Sequence, residues 1–421
     1  MPTNRRTLLK AVPAAAIGSG ALAAPRIAKA QAGGPIRLGA IATLEGPFAV
    51  PGQDGLRGVR MALAEQGNAV RGRPIELITG SSTGAPDTAI RAARKLVEQD
   101  GCPVMVGPLS GSEGIAMRDY AKTRPNVTFL NGSSAAQDTT LRDPAPNFFR
   151  FSTDGAQWMA GLGRHAVEEK KYRNVATIAE DYSFPYTQVM GFALDFCRLG
   201  GRIVHRAWTP LGARDYASAI AALPRQIDAL YVALGGSDAI NFLTQYEQAG
   251  GDAPLIAGSI TVDQSVLGAR GRQREHIVGT PAAGPVADNW DDPRWTRFVA
   301  DYKRQFPDGL PSPGLFCHAY YVNTKALLLG LDQVGGDVSD NGEKLRAALS
   351  RLSFDTPTGP VKLDENRQAI ATIFLTEVAS EGGRLFNKVV KVVPEVNQTL
   401  GLPRDQFMAI GSPSRTVPEC R

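Results

Sequence analysis

The fold is decided by residues 36–42 (IRLGAIA) and the segment that follows them, residues 52–65 (GQDGLRGVRMALAE). The first segment is a short apolar run, which predicts a buried strand. The second segment places Leu56, Val59 and Leu63 on one face of a helix. Gly46-Pro47 marks a turn between them. The pair therefore predicts a strand, a loop and a helix, which is the building unit of an α/β sheet.

The same alternation of strands and helices continues along the chain, with two interruptions. In the first part we predict a helix capped by Asp87 that runs to Glu98, and further strands at residues 73–79, 104–107 and 127–130. After residues 142–147 (RDPAPN) the alternation restarts with a helix at residues 155–169. The strands predicted beyond it lie at residues 174–180, 203–208, 229–234 and 255–258. This alternation predicts parallel, doubly wound sheets.

The two sets of elements predict two α/β lobes of similar size. From residue 277 to residue 285 the chain crosses back, and apolar helical segments and then strand-like segments follow. We assign residues 36–150 and 281–354 to lobe 1, residues 151–280 and 355–393 to lobe 2, and residues 394–421 to a C-terminal tail. Two lobes joined by a hinge of several crossings form an architecture that closes on a ligand between them.

The first thirty residues predict an export signal. Residues 4–10 (NRRTLLK) contain a twin arginine, residues 11–24 form a weakly apolar run, and Ala28-Lys29-Ala30 is an A-x-A cleavage site. The apolar run is too short to span a hydrocarbon core of roughly 30 Å. We therefore expect a twin-arginine signal peptide at residues 1–30, cleaved near Ala30, and a mature protein in the periplasm.

The charge balance of the chain changes once that signal is removed. The full sequence has 46 basic and 41 acidic residues, and five of the basic residues lie within residues 1–30, which contain no acid. The remaining chain is therefore formally neutral. A basic pI would otherwise suggest a nucleic-acid or anionic-membrane partner, and we expect neither.

Cysteine and histidine usage argues against a metal or a catalytic centre. The chain has four cysteines, Cys102, Cys197, Cys317 and Cys420, and no two of them form a C-x-x-C pair. In an oxidising compartment these cysteines could form one or two disulfides, and four cysteines allow three pairings. They could equally include buried free thiols, and the sequence does not decide between these alternatives. The four histidines lack zinc spacing, and no G-x-S-x-G or Walker motif follows the leader. We therefore predict no cofactor, no metal and no enzymatic activity.

Several segments in order resemble a known family, the periplasmic solute-binding proteins of ABC importers in their branched-chain amino-acid-binding branch. The matching segments are residues 38–47 (LGAIATLEGP), 55–62 (GLRGVRMA), 92–97 (AARKLV), 106–112 (VGPLSGS), 319–320 (AY) and 359–361 (GPV). The resemblance covers residues 36–393. It implies the type I periplasmic binding protein fold, a small-molecule ligand, an ABC permease of the inner membrane as partner, and a monomer.

The resemblance implies that two strand-to-helix loops of lobe 1 hold the ligand's carboxylate. Such loops present free backbone N–H groups and the positive end of a helix dipole, glycine permits close approach, and serine adds hydroxyl donors. The alternative is that these serines only cap helices. The candidate residues are Leu109, Ser110, Gly111, Ser112, Gly132, Ser133 and Ser134.

Lobe 2 is expected to shape the rest of the pocket. The loop at residues 180–186 (EDYSFPY) matches the family's tyrosine-containing loop, and its aromatic rings could stack on an apolar ligand or merely fill the surface between the lobes. Residues 235–237 (GGS) and 258–261 (GSIT) match two further pocket loops. The candidates outside lobe 1's serine loops are Phe48, Asp181, Tyr182, Phe184, Tyr186, Gly236, Ser237 and Ile260.

One departure from the family bears on the ligand. Amino-acid binders of this family carry a glutamate in the last of these loops, where it holds the α-ammonium group, and this chain has Ile260 there. A buried ammonium without a carboxylate partner costs several kcal/mol. Asp181, Asp238 or Asp263 would have to replace the glutamate.

We therefore predict a solute-binding protein for a small carboxylate-bearing ligand, which is an aromatic or aliphatic acid or an amino acid. The sequence also leaves small amides as an alternative class of ligand. A ligand sensor for a membrane kinase would share the same fold, and an exported hydrolase is the alternative from another class.

Overall fold

Two β-sheets organise residues 34–271 and 276–420, which are the residues that the computed structural model describes. The predicted signal peptide lies outside the described residues. The prediction of an α/β fold with two sheets of mostly parallel strands is confirmed. The division of the chain into lobes at the stated boundaries stays a prediction.

The first sheet has six strands in the order β2-β3-β1-β4-β5-β6. All neighbouring pairs are parallel except β2 and β3. Strand β1 lies inside the sheet and is almost wholly buried, which explains its apolar sequence. The bounds are β1 Ile36–Thr43, β2 Ala69–Val70, β3 Arg73–Ser82, β4 Val104–Val106, β5 Thr128–Leu130 and β6 Phe148–Phe149.

The second sheet has nine strands and changes character along its width. Strands β7 to β11 pair in parallel, whereas β11 to β15 pair antiparallel. The alternation of strands and helices predicts only the parallel part, because the last strands follow one another without helices. The bounds are β7 Asn174–Glu180, β8 Arg202–Thr209, β9 Ala229–Ala233, β10 Leu255–Ala257, β11 Pro281–Gly284, β12 Phe354–Thr356, β13 Gly359–Leu363, β14 Ala369–Glu381 and β15 Arg384–Val396.

Helices follow most of the parallel strands. Among the described residues, no helix has the length and apolar character needed to cross a membrane. The α-helices are Ala49–Glu65, Pro86–Arg94, Gly111–Lys122, Gly155–Trp158, Leu162–Glu168, Ser183–Arg198, Ala217–Ala221, Gly236–Gln248, Gln264–Leu267, Pro293–Gln305, Leu315–Gln333, Glu343–Leu349 and Arg404–Ala409.

Three predicted elements differ from the structure. Ala85, not Asp87, is the N-cap of the second helix, because Pro86 already occupies the first helical position. The helix predicted at residues 155–169 is two helices, separated at Gly161 by a left-handed backbone with φ of 83°. The C-terminal tail contains the end of β15 and a helix whose Phe407 is fully buried.

The long helix Leu315–Gln333 forms the centre of one core by packing against helix Ala49–Glu65. The two backbones approach closely at Gly58, where an added Cβ would lie 2.1 Å from the carbonyl oxygen of Cys317. Only glycine fits there.

Buried polar contacts hold the chain where it passes between the sheets. The Arg150 backbone exchanges hydrogen bonds with the segment before β14, through Arg367 O at 3.0 Å and Ala369 N at 2.8 Å. Its side chain is fully buried, lies 3.6 Å from Asp154 and donates to Ala136 O at 2.7 Å. Burial lowers the pKa of Arg150 to about 10, so the guanidinium stays charged at neutral pH.

Candidate functional site

A small cavity lies between loops from the two sheets. The loops that follow β4 and β5 line one side, and the loops that follow β7 and β10 line the other. The carboxyl ends of parallel strands are where open α/β sheets bind ligands. The lining residues are Phe48, Leu109, Ser110, Gly111, Ser133, Ala135, Trp158, Tyr182, Phe184, Ile260 and Phe316.

The loop after β4 presents the start of helix Gly111–Lys122. Ser110 is the N-cap, and it forms a capping box with Glu113. Its hydroxyl donates to Gly84 O at 2.7 Å, and its N–H donates to Glu113 Oε2 at 2.9 Å. The hydroxyl and the N–H group of Ser110 therefore both bond to other groups of the protein and are not free to bind a ligand. The N–H groups of Gly111 and Ser112 have no partner in the described part of the chain, so Gly111 can donate its N–H to a ligand in the cavity.

The loop after β5 adds a hydroxyl group. The N–H groups of Ser133 and Ser134 both donate to Pro108 O, at 3.1 and 3.2 Å. The Ser133 hydroxyl is buried and has no hydrogen-bond partner among the described residues. The Ala135 N–H is also unpartnered there. Buried polar groups in native proteins are satisfied, so Ser133 calls for a polar group in the cavity.

Aromatic rings form the remaining walls of the cavity. Trp158 meets Phe184 edge-on, with ring centroids 5.4 Å apart, and Phe184 lies 6.3 Å from Tyr182. Phe48 and Phe316 lie 6.4 Å apart. Rings in such arrangements supply a large apolar contact area. The walls therefore suit a flat or apolar ligand body.

The cavity carries no formal charge on its lining. Of the described residues that line it, none is acidic or basic. Glu180, two residues before Tyr182, is fully buried and accepts a hydrogen bond from Gly235 N at 2.9 Å. Burial raises the pKa of Glu180 well above its usual value. Burial therefore disfavours the charged form of this carboxyl group.

The structure brings eight of the fifteen candidate residues to this cavity. They are Phe48, Leu109, Ser110, Gly111, Ser133, Tyr182, Phe184 and Ile260. The other seven candidates do not line it, and they are Ser112, Gly132, Ser134, Asp181, Tyr186, Gly236 and Ser237.

The residues outside the lining have other contacts. The Ser112 hydroxyl lies 3.0 Å from the Ser183 hydroxyl. An added Cβ on Gly132 would lie 2.4 Å from the ring of Tyr320, and one on Gly114 would lie 1.7 Å from Ser134 Oγ. Gly132 and Ser134 therefore serve close packing of the loop after β5.

The three aspartates named as replacements for the family's glutamate are already partnered. Asp181 is bound by Arg415 and by the Tyr186 hydroxyl. Asp238 accepts from Gly212 N at 2.6 Å. Asp263 accepts from Leu315 N at 2.9 Å. None of them lines the cavity.

Three lining residues escaped the sequence analysis. Trp158 ends a one-turn helix, Phe316 lies in the first turn of the long helix, and Ala135 follows the serine loop. Trp158 and Phe316 look like ordinary core residues in the sequence, and only the meeting of distant segments reveals their position.

A second cavity differs from the first in the chemistry of its lining. It lies beside the start of the long helix, and its lining includes the carboxylates of Asp263 and Asp288. Acidic walls repel an anion, so the expected carboxylate ligand does not belong there. In residues 34–271 and 276–420, no cluster of three or more acidic, histidine or cysteine side chains could hold a metal ion.

Known proteins of similar structure are ABC-transporter solute-binding proteins. An ABC transporter substrate-binding protein from Sphaerobacter thermophilus is 29% identical, with a TM-score of 0.77 over 86% of this chain and 99% of that one. A solute-binding protein from Rhodopseudomonas palustris BisB5 in complex with 3,4-dihydroxybenzoic acid is 24% identical, with a TM-score of 0.79 over 86% and 98%.

A third similar structure is the branched-chain amino acid transporter substrate-binding protein LivJ from Streptococcus pneumoniae, in complex with isoleucine. It is 18% identical, with a TM-score of 0.72 over 85% of this chain and 99% of that chain. At such identities, the last two likenesses establish the fold alone.

The sequence agrees with the architecture. The model of the family described as "Periplasmic binding protein" matches residues 35–384, which include strands β1 to β14 and every residue that lines the cavity. With this match over most of its length, and with two α/β sheets whose loops line a common cavity, the chain belongs to the periplasmic binding protein family.

Proposed function

We propose that the protein binds a small carboxylic acid in the cavity between the loops that follow β4, β5, β7 and β10, and delivers it to an ABC permease. The observation that carries the proposal is the buried, unpartnered hydroxyl of Ser133. It lies in the same cavity wall as the free N–H groups of Gly111 and Ala135. Together they offer three donors and no negative charge, as a carboxylate requires.

The aromatic walls favour an acid without an α-amine over leucine, isoleucine or valine. A bound ammonium group would face Ile260 and neighbouring rings, and its burial without a counter-ion costs several kcal/mol. An aromatic acid instead places its ring against Phe48, Trp158 and Phe184. That a relative of the same fold was crystallised with 3,4-dihydroxybenzoic acid supports this choice.

A thermal-shift panel of benzoate, cinnamate, aliphatic acids, leucine and acetamide tests the proposal. A ligand at 100 times its dissociation constant adds about 2.7 kcal/mol to the free energy of unfolding. We expect benzoate-type acids to raise the melting temperature of the purified protein more than leucine does. No shift with any acid would contradict the proposal.

We also propose that binding occurs without turnover, because no lining residue forms a nucleophile–base pair. Prolonged incubation should return the bound acid chemically unchanged. Conversion of more than one equivalent of acid per protein would contradict this.

The signal at residues 1–30 implies export to the periplasm by the twin-arginine route and cleavage near Ala30. We expect Arg5→Lys combined with Arg6→Lys to keep the precursor in the cytoplasm, as cell fractionation would reveal. Processing of this double variant at wild-type levels would argue for another route. We propose that the mature protein acts as a monomer.

A further inference from the structure

The end of the chain contacts the outside of the loop that supplies Tyr182 and Phe184 to the cavity. We name residues 414–420 the C-terminal brace. Arg415 Nε donates to Asp181 Oδ1 at 2.8 Å, and a second guanidinium nitrogen donates to Asp181 Oδ2. Asp181 directly precedes Tyr182. These two hydrogen bonds therefore fix the start of the loop at residues 181–186.

The brace is attached at both ends of one helix. Helix Ser183–Arg198 begins inside this loop segment, at its third residue, and Phe184 lies in the first turn of the helix. Near its other end, Cys197 forms a disulfide with Cys420. The brace therefore contacts this helix through Asp181 and Tyr186 at the start and through a covalent bond at the finish.

Further contacts hold the backbone of the brace and the carboxylate of Asp181. Arg206 on β8 donates to Arg415 O at 3.3 Å and also to Pro418 O. The Tyr186 hydroxyl donates to Asp181, and its ring packs edge-on against Trp208 at 4.8 Å. Hydrogen bonds from Arg415 hold the pKa of Asp181 below its usual value, so the pair is ionised at neutral pH.

A single exposed ion pair contributes little to stability, typically about 0–1 kcal/mol. The Arg415–Asp181 pair differs from such a pair because other contacts already restrict the positions of both residues. The disulfide keeps the brace against the helix, and Asp181 N donates to Thr209 O at 2.8 Å. The Asp181 side chain is only 19% exposed. A bidentate pair between two held groups fixes an orientation.

We propose that Arg415 is a positioning residue for ligand binding: with the Cys197–Cys420 disulfide, it orients the loop at residues 181–186 so that Tyr182 and Phe184 face the ligand. This inference rests on the proposed function, since it assigns the brace a task in the same cavity. Arg415 itself does not touch the cavity. Its task is indirect.

Arg415→Ala and Cys420→Ser test the proposal by titration calorimetry with benzoate. We expect each variant to bind benzoate about five- to tenfold more weakly than wild type. The melting temperature of unliganded Arg415→Ala should stay within a few degrees of wild type, since an exposed pair is lost. Arg415→Lys keeps the charge but loses the two-bond geometry, and it should recover only part of the affinity.

Arg164→Ala is the matched control, because Arg164 forms an exposed ion pair with Glu168 on a nearby helix away from the brace. It should bind benzoate like wild type. Wild-type affinity in both Arg415→Ala and Cys420→Ser would overturn the proposal, as would an equal loss in Arg164→Ala.

Hydrogen exchange distinguishes this proposal from the proposed function, because it needs no ligand. In Arg415→Ala, amides at residues 181–186 should exchange faster, while those of β7 stay unchanged. If the wild type binds none of the acids, the proposed function fails, and faster exchange would still identify the brace. Unchanged exchange at residues 181–186 would contradict the proposed role of the brace.

Discussion

Ser110 and Ser133 follow neighbouring strands of the first sheet, but their hydroxyls have different tasks. Ser110 Oγ donates to Gly84 O and caps a helix, whereas Ser133 Oγ is buried without a partner among the described residues. Ser110 thus acts as a helix cap, whereas we propose that Ser133 binds the ligand. The sequence could not separate them, because each serine follows a strand and is adjacent to a glycine.

Ser133→Ala tests the binding reading. Removing one donor to a buried carboxylate should weaken benzoate binding by about 1–3 kcal/mol, measured by titration calorimetry. The unfolding transition should hardly change, since the hydroxyl has no hydrogen-bond partner in the part of the chain that the structure describes. Ser134→Ala is the control, and we expect it to bind like wild type. The reverse order of effects would move the anion site to Ser134.

Ile260→Glu tests the apolar end of the cavity. Ile260 packs against Phe48 and Gly235, and an added Cβ on Gly235 would lie 2.9 Å from the Ile260 Cδ1 atom. A carboxylate placed there should reduce benzoate affinity at least about tenfold, because it is buried beside an anion. Ile260→Leu should change affinity little. Unchanged benzoate binding by Ile260→Glu would mean that the ligand lies elsewhere.

At the scale of elements, the helix Gly111–Lys122 links stability to the site. Its capping box satisfies two backbone N–H groups, and the first-turn N–H groups of Gly111 and Ser112 stay free. The glycines at positions 111 and 114 obscure the start of this helix in the sequence. The serine and glutamate three residues apart are the signal that could have found it.

Ser110→Ala should cost about 1 kcal/mol of unfolding free energy, as loss of an N-cap does. Urea denaturation measures this cost. Thr123→Ala, at the end of the same helix, is a control that leaves the capping box intact. Stability equal to wild type in Ser110→Ala would contradict the role of Ser110 as a cap.

At the scale of the whole molecule, two buried carboxylates meet at the start of the long helix. Asp54 accepts from Gly314 N at 3.0 Å, and Asp263 accepts from Leu315 N at 2.9 Å. An added Cβ on Gly314 would lie 2.6 Å from Asp263 and 3.0 Å from Asp54. Burial, together with the nearby charge of Asp263, raises the pKa of Asp54 to about 6 despite its contacts with Tyr302 and other donors.

This pKa predicts how stability depends on pH. The folded protein binds the Asp54 proton more tightly than the unfolded chain, so the stabilisation is fully present below pH 3.8 and is lost as the pH rises through about 6. Lowering the pH from about 7.5 to about 5 should therefore stabilise the wild type by about 1 kcal/mol more than Asp54→Asn.

Chemical denaturation of both proteins at the two pH values measures this difference. Arg57 faces Asp54 from the same helix and Tyr302 faces it from helix Pro293–Gln305, and both are present in each protein. Burial also raises the pKa of other acids, such as Glu180 and Asp288, and the comparison with Asp54→Asn cancels their contributions. An identical pH response of the two proteins would contradict the assignment.

Sequence patterns predict the units of this molecule better than its long-range contacts. Alternation of strands and helices follows from local burial, so the parallel parts of both sheets are predictable. The pairing of Cys197 with Cys420, the Arg415–Asp181 contact and the arrival of Trp158 and Phe316 at the cavity join residues far apart along the chain. Only the packed structure determines them.

The central claim is that the closed cavity binds a carboxylate without an α-amine. Isothermal titration of the purified protein with benzoate and with leucine, in one buffer at neutral pH, tests it most directly. We predict benzoate binding near a micromolar dissociation constant, which corresponds to about 8 kcal/mol, and leucine binding at least about tenfold weaker. Micromolar leucine binding with no heat from benzoate would contradict the account.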